Sequence, residues 1–309
     1  MSNINFAIFS PSYDDNHGGP IALHYLCHLL NEMGQRAFIV PLYKTYDSDE
    51  RFPLKGFLKS MASRYRNWRK EYAVCQGLLT PVIHRPQIPL ADDMVAIYPE
   101  IVAGNPLGAK NVVRWLLHRP GYQTGKVCFG IGELYFDYNA FSSDFGIAGS
   151  KLSSKKLFIS RYHKHLYNKS EALESQSRTG TAYCIRKGAG KKIVHDLENS
   201  ILIDGMNHEE ISKIFKRVKR FISYDTKTMY SLMAVACGAE SVVVPDVGVS
   251  KAEWEPNPVR AYGIAYGFDD MENALMTAPH AIHQLELLDI QSKQAVSQFL
   301  TEVQDYFDL

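Results

Sequence analysis

Three short segments of this 309-residue chain carry residue types that could do chemistry. The first is Arg186-Lys187-Gly188-Ala189-Gly190-Lys191-Lys192, four cations set around two glycines. Glycine lets backbone N–H groups approach an anion, and the side chains add full charges. This loop closes a band, residues 151–192, with eleven Lys/Arg against two acids, a net of +9 in a chain whose formal net charge is +1. Such a concentration points to an anionic ligand, for instance a phosphorylated one; a solvated linker with ordinary lysines is the alternative. Further on, Asp225-Thr226-Lys227-Thr228 precedes an apolar run that ends in Ala236-Cys237-Gly238. A helix beginning at Thr226 would offer unpaired N–H groups and a partial positive charge to an anion, with Thr226 and Thr228 adding hydroxyl donors. Asp225 suits ligand contact and equally an N-cap.

The third segment is Ser12–Pro20, SYDDNHGGP. Gly18 and Gly19 at a strand-to-helix turn would let backbone lie close to a ligand. Asp14, Asp15 and His17 are groups that can accept a proton from a hydroxyl, or simply tie the loop together. The pair Gly18-Gly19 is not GxGxxG, so no dinucleotide site is indicated. Glu133 and Asp137 in GIGELYFDYN follow an apolar run, where a turn role serves as well as a ligand role.

The elements that must hold these segments follow from periodicity. Asn5–Phe9 is a short apolar run, and Ile21, Leu23, Leu26, Leu29, Leu30 and Met33 recur at helical spacing up to Gly34. Ala37–Val40 is a second strand. Strand, glycine loop, helix, strand opens a doubly wound α/β sheet. Strands are expected at 94–98, 127–131 and 157–160, with a helix at 106–118 between the first two. A second α/β series has strands at 183–185, 200–203, 221–223 and 241–244 and helices at 209–220 and 226–237. Residues 280–309 read as helical. The polar segment 167–181 reads as a linker, giving an N-terminal half, 1–170, and a C-terminal half, 171–309.

Hydrophobic residues make up 46% and charged residues 22%, which excludes disordered and collagen-like classes. The balanced charge leaves no global polycation for wrapping nucleic acid. Five scattered cysteines without a CxxC pair argue for a reducing, cytoplasmic setting. No run of about 18 apolar residues lacks a charge, so no membrane-spanning helix is expected. The stretch 54–72 sets Leu54, Phe57, Leu58, Met61, Tyr65, Trp68 and Tyr72 on one stripe with Lys and Arg between. That suits peripheral contact with a membrane surface, and also plain packing with a basic outer face.

The stretch Phe221–Asp246 resembles the nucleotide-sugar-binding region of glycosyltransferases with the GT-B fold, in which two Rossmann-like domains face a central cleft. The acid Asp225 at a strand end, the Ala236-Cys237-Gly238 helix end and the strand Ser241–Pro245 carry the resemblance. The flanks Gly248–Pro256 and Tyr262–Asp270 resemble bacterial polysaccharide-assembly enzymes of the glycosyltransferase family 4 type. The resemblance implies a nucleotide-diphosphate-sugar donor, a hydroxyl on a glycan or lipid-linked acceptor, and no metal or other cofactor. It implies that Arg186, Lys187, Asp225, Thr226 and Thr228, with Gly18 and Gly19, bind the donor, and that Asp14, Asp15 and His17 stand at the reaction centre. Full matches have a second glutamate eight positions after the first; here Met233 stands there. A nucleotide-sugar epimerase and a non-catalytic binding module are the alternatives.

Overall fold

The computed structural model describes residues 3–15, 17–42, 72–138 and 146–309. The stretch 54–72 lies outside them except for Tyr72. The chain divides into two compact units, one made of Met1–Arg161 and Asp289–Leu309, the other of Tyr162–Leu288.

The first unit is a six-stranded sheet whose strands all pair in parallel. Its strands are β1 (Asn5–Ser10), β2 (Arg36–Pro41), β3 (Met94–Pro99), β4 (Asn111–Leu116), β5 (Leu134–Asp137) and β6 (Lys151–Leu152), with helix α1 (Gly18–Glu32) between β1 and β2. Their order across the sheet is β2-β1-β3-β4-β5-β6. From β1 the chain steps to β2 on one side and returns to β3 on the other. The carboxyl ends of β1 and β3 therefore flank a topological switch point, where doubly wound sheets open a crevice.

The second unit repeats that plan. Strands β7 (Thr181–Cys184), β8 (Ser200–Leu202), β9 (Arg220–Ser223), β10 (Glu240–Val243) and β11 (Ile264–Tyr266) form a parallel sheet in the order β11-β10-β9-β7-β8. Helices α2 (His208–Phe215), α3 (Tyr230–Ala236) and α4 (Lys251–Trp254) connect them. Here the switch point lies between β7 and β9. The expected fold class, α/β with two doubly wound parallel sheets, is the one observed.

The final helix, α5 (Met271–Phe307), serves both cores. Leu285 is buried with Phe215, Tyr230 and Met233 of the second unit. Val296, Phe299, Leu300 and Val303, spaced for one helical face, are buried against Phe6, Leu26 and Phe136 of the first. The last 21 residues thus belong to the first unit, whereas the sequence reading assigned them to a C-terminal half. The expected linker 167–181 belongs to the second unit, because Tyr167 is fully buried in its core.

Three expected elements of the first unit differ, and the first of them is the strand expected at 157–160: Leu157 and Ile159 are buried in the core, but the segment forms no strand. Residues 106–118 hold strand β4 rather than a helix, with all six residues of Asn111–Leu116 buried. A strand at the centre of a parallel sheet is covered on both faces and loses the alternation that would reveal it. Residues 127–131 form no strand. Ile131 is exposed, and the ladder begins only at Leu134.

Candidate functional site

The second unit's switch point brings the Arg186–Lys192 loop and the Asp225–Thr228 segment together. Immediately after β7, the backbone N–H groups of Ile185 and Arg186 both donate to Asp204 Oδ2, at 3.0 Å each. That carboxylate stands just after β8 and holds the start of the basic loop. Its other oxygen, Oδ1, is buried with no donor. Arg186 sits at φ 41°, a backbone conformation costing a non-glycine residue about 1–3 kcal/mol. Its guanidinium lies 5.2 Å from the centre of the Tyr230 ring. Lys187 beside it is exposed.

Gly188 explains how close this loop comes to the end of β9. A Cβ there would stand 2.1 Å from the Tyr224 carbonyl oxygen and 2.3 Å from its carbon. Only glycine permits this contact, so the Arg186-Lys187 turn is pressed against Tyr224-Asp225. The Tyr224 hydroxyl accepts from the Val194 N–H at 2.9 Å and bonds to His195 Nδ1 at 2.8 Å, tying down the rest of the loop. Burial holds His195 below the ordinary histidine value. Lys191 turns inward, pairing with Asp246 at 2.7 Å and donating to the Val244 carbonyl at the end of β10.

Asp225 is buried at 4% exposure, and its Oδ1 accepts the Lys227 N–H at 3.1 Å. It closes a turn and does not cap a helix. The expected helix at Thr226 starts instead at Tyr230 and spans seven residues. The reason is local: the Trp254 indole N–H donates to the Thr226 carbonyl at 2.7 Å, Lys227 Nζ donates to the Trp254 carbonyl, and Thr228 Oγ1 accepts the Tyr230 N–H. These contacts hold Thr226–Met229 as a loop, so the anion-facing amides expected of a long helix at Thr226 are replaced by turn geometry. Met233 is buried in the core.

In the first unit the loop after β1 leads into α1, whose first residues are Gly18 and Gly19. His17 Nδ1 meets Asp14 Oδ2 at 2.7 Å, with side chains 70% and 44% exposed. Asp15 Oδ1 accepts from the Tyr13 hydroxyl at 2.6 Å, and that hydroxyl accepts from Arg161 at 2.6 Å. Behind the loop, His24 Nε2 donates to the Pro11 carbonyl at 3.1 Å, and burial holds this histidine below its ordinary value. Tyr72 also donates to that carbonyl, at 2.7 Å. The three predicted residues Asp14, Asp15 and His17 are therefore held in one braced loop at the switch point.

A residue the sequence reading missed stands at the end of β3. Glu100 is buried at 6% exposure, and one oxygen accepts the Leu117 N–H at 3.0 Å. A Cβ on Gly19 would lie 3.8 Å from the Leu117 side chain, so the glycine pair and the Glu100 support are neighbours. Burial pushes Glu100 up to about 7, against the opposing pull of the Leu117 and His118 amides. No sequence signal marks it, since its burial depends on β3 lying beside β4. Glu133, by contrast, is fixed by a buried two-point ion pair with Arg114, at 2.6 and 2.9 Å, and reads as architecture. Among the described residues no helix is long and apolar enough to cross a membrane.

Fold and site together define a doubly wound α/β protein with a cationic crevice in one unit and a braced acidic loop in the other. No protein-family profile and no curated protein matches the chain. Solved structures similar to it include MurG of Acinetobacter baumannii, at 9% identity over 97% of this chain and 99% of that one, TM-score 0.36. Sucrose-phosphate synthase of Thermosynechococcus elongatus is similar at 12% identity over 96% and 94%, TM-score 0.44. The T4 phage β-glucosyltransferase solved with its UDP-glucose substrate is similar at 9% identity over 99% and 98%, TM-score 0.41. Likenesses this distant assign no residue a role.

Proposed function

We propose that the protein is a glycosyltransferase that moves a sugar from a nucleotide-diphosphate-sugar donor to a hydroxyl of a glycan or lipid-linked acceptor without a metal. The observation that carries this reading is the contact at Gly188, which sets the Arg186-Lys187 turn against Tyr224-Asp225 at a sheet switch point. Arg186 and Lys187, with the hydroxyls of Thr226 and Thr228, bind the donor's phosphates. Tyr230 backs the Arg186 guanidinium.

The chemistry assigns a job to each end. The acceptor hydroxyl gives its proton to the His17-Asp14 pair, in which Asp14 holds Nδ1–H and leaves the Nε2 lone pair for the hydroxyl. The acceptor oxygen forms its bond to the anomeric carbon as the bond from that carbon to the phosphate oxygen breaks. The electron pair leaves with the nucleoside diphosphate, whose growing charge meets Arg186 and Lys187. Asp15 fixes the loop through Tyr13, and Gly18 and Gly19 let the sugar lie against backbone. Residues 54–72 supply the membrane contact that a lipid-linked acceptor would call for.

Thermal unfolding with UDP, GDP and dTDP tests the reading. A nucleoside diphosphate at a hundred times its Kd stabilises by about 2.7 kcal/mol. Incubation with the matching sugar nucleotide and a glycan acceptor then gives glycosylated acceptor. A changed free sugar nucleotide would make the protein an epimerase, and no stabilisation by any of the three would leave a non-catalytic module.

A further inference from the structure

The second unit has a pocket of about 470 Å³ at the opposite end of its sheet from the Arg186 loop, a volume ordinary for a small-molecule site. It is built around the amino ends of β9 and β10: Lys219 precedes β9, Gly238 and Ala239 precede β10, and Arg178 stands shortly before β7. One wall is apolar, made by Val235 of α3 and by Leu275, Pro279 and Ile282 of α5. Leu275 is 54% exposed at the mouth of this wall.

The charge on the other wall is one-sided. Lys169, Arg178 and Lys219 line it with a single acid, Glu240. That acid is already neutralised by Arg220, which reaches it with two nitrogens at 2.9 and 2.7 Å. Arg178 is buried at 6% exposure, and four backbone carbonyls, of Leu173, Phe215, Val218 and Cys237, hold its guanidinium in place. Those carbonyls, three of them at or just past the C-terminal ends of α2 and α3, offset part of its charge and, among the described residues, leave one Nη2 N–H without a carbonyl partner. Gly238 adjoins both cations: a Cβ on it would be 2.9 Å from Arg178 Nη2 and 3.8 Å from Lys169 Cε. Among the described residues neither lysine is paired with an acid. Three cations facing one pocket beside an acid that is already paired give it a one-sided positive charge that attracts an anion.

We propose that this pocket is a second binding site, separate from the sugar-nucleotide crevice, for a small organic anion: a phosphate or carboxylate carried on an apolar body. The charged group sits between Lys169, Lys219 and Arg178, and the body covers Val235, Leu275, Pro279 and Ile282. The proposal does not depend on the transferase reading, because the pocket uses none of its residues.

Calorimetric titration of the full chain with hexyl phosphate, inorganic phosphate and hexanol tests it. Hexyl phosphate is expected to bind one to one and at least about tenfold more tightly than inorganic phosphate, with hexanol the weakest of the three. Lys169→Glu and Leu275→Glu, both at exposed positions, each weaken hexyl phosphate about tenfold or more while nucleoside diphosphate binding stays as in the wild type. Equal affinity for hexyl phosphate and inorganic phosphate overturns the proposal. So does unchanged binding in both variants, or competition by UDP together with loss in Lys187→Glu, which would move the probe to the other crevice.

Discussion

Replacing Gly188 with alanine tests the contact on which the donor site rests. The added Cβ would stand 2.1 Å from Tyr224 O, 2.3 Å from its carbonyl carbon and 2.7 Å from its Cβ. That is more than an ångström inside ordinary van der Waals contact, and two of the three atoms are backbone at the end of a central strand. The strand is held on both sides by β7 and β10, so the loop must give way. Overpacking of this kind costs about 1–3 kcal/mol, which lowers Tm by several degrees. The displaced loop also carries Arg186 and Lys187 away from Asp225. Each charge-assisted hydrogen bond to a phosphate is worth about 1.5–3 kcal/mol, so losing one lowers nucleoside diphosphate affinity about 10- to 100-fold. Gly190→Ala is the control. Gly190 has φ 94° with nothing within 4 Å of its Cβ position, so that variant feels backbone strain without a collision. Calorimetric titration and thermal unfolding of both variants read the outcome. If Gly188→Ala binds as tightly as Gly190→Ala and melts at the same temperature, the two segments are not pressed together and the donor site is misplaced.

Three further outcomes are expected. His17→Gln should lower kcat about 10²- to 10⁴-fold with donor affinity unchanged, and an unchanged kcat would remove His17 from the proton path. Glu100 rises from its ordinary 4.5 to about 7 on folding, so between those values the folded protein holds a proton that the unfolded chain has released. Stability therefore falls as pH rises through that window, by at most about 3 kcal/mol, and Glu100→Gln should flatten the Tm-against-pH curve there; identical curves would refute the assignment. Arg114→Leu strands the Glu133 carboxylate, 3% exposed, and should cost about 3–5 kcal/mol in denaturant unfolding, whereas the double variant Arg114→Leu/Glu133→Leu should recover much of it.

How much of this was legible depends on whether an element announces itself locally. β1, α1 and β2 did, because Ile8, Leu26 and Ile39 belong to runs whose period changes from strand to helix and back across a glycine turn. The Arg186 loop was legible as charge, and the structure adds that Gly188 is there for Tyr224. β4 was hidden because Val112, Val113 and Trp115 are buried on both faces and a charged residue, Arg114, interrupts them. That charge makes sense only beside Glu133, 19 residues away. The start of α3 was misplaced because Trp254, far along the chain, ties the Thr226 carbonyl into a loop. Asp204 and Glu100 carry no motif at all. One becomes a brace and the other a neutral-range acid only when parallel strands bring their ends together.

The same winding order in both units gives a reason why their crevices differ in charge. In each sheet the first strand ends at the switch point, so the residues following β1 and those following β7 occupy equivalent places. Duplicate scaffolds with equivalent functions would carry similar charges there. Instead the loop after β1 presents Asp14, Asp15 and His17 with Glu100 close by, and the loop after β7 presents Arg186 and Lys187. A group transfer needs that asymmetry. The attacking oxygen must lose a proton to a base, and the leaving oxygen must be met by positive charge. A protein that only bound a sugar nucleotide would need the cationic crevice and have no use for the braced His17-Asp14 pair. The discriminating outcome is therefore a His17→Gln variant that keeps donor binding and loses transfer.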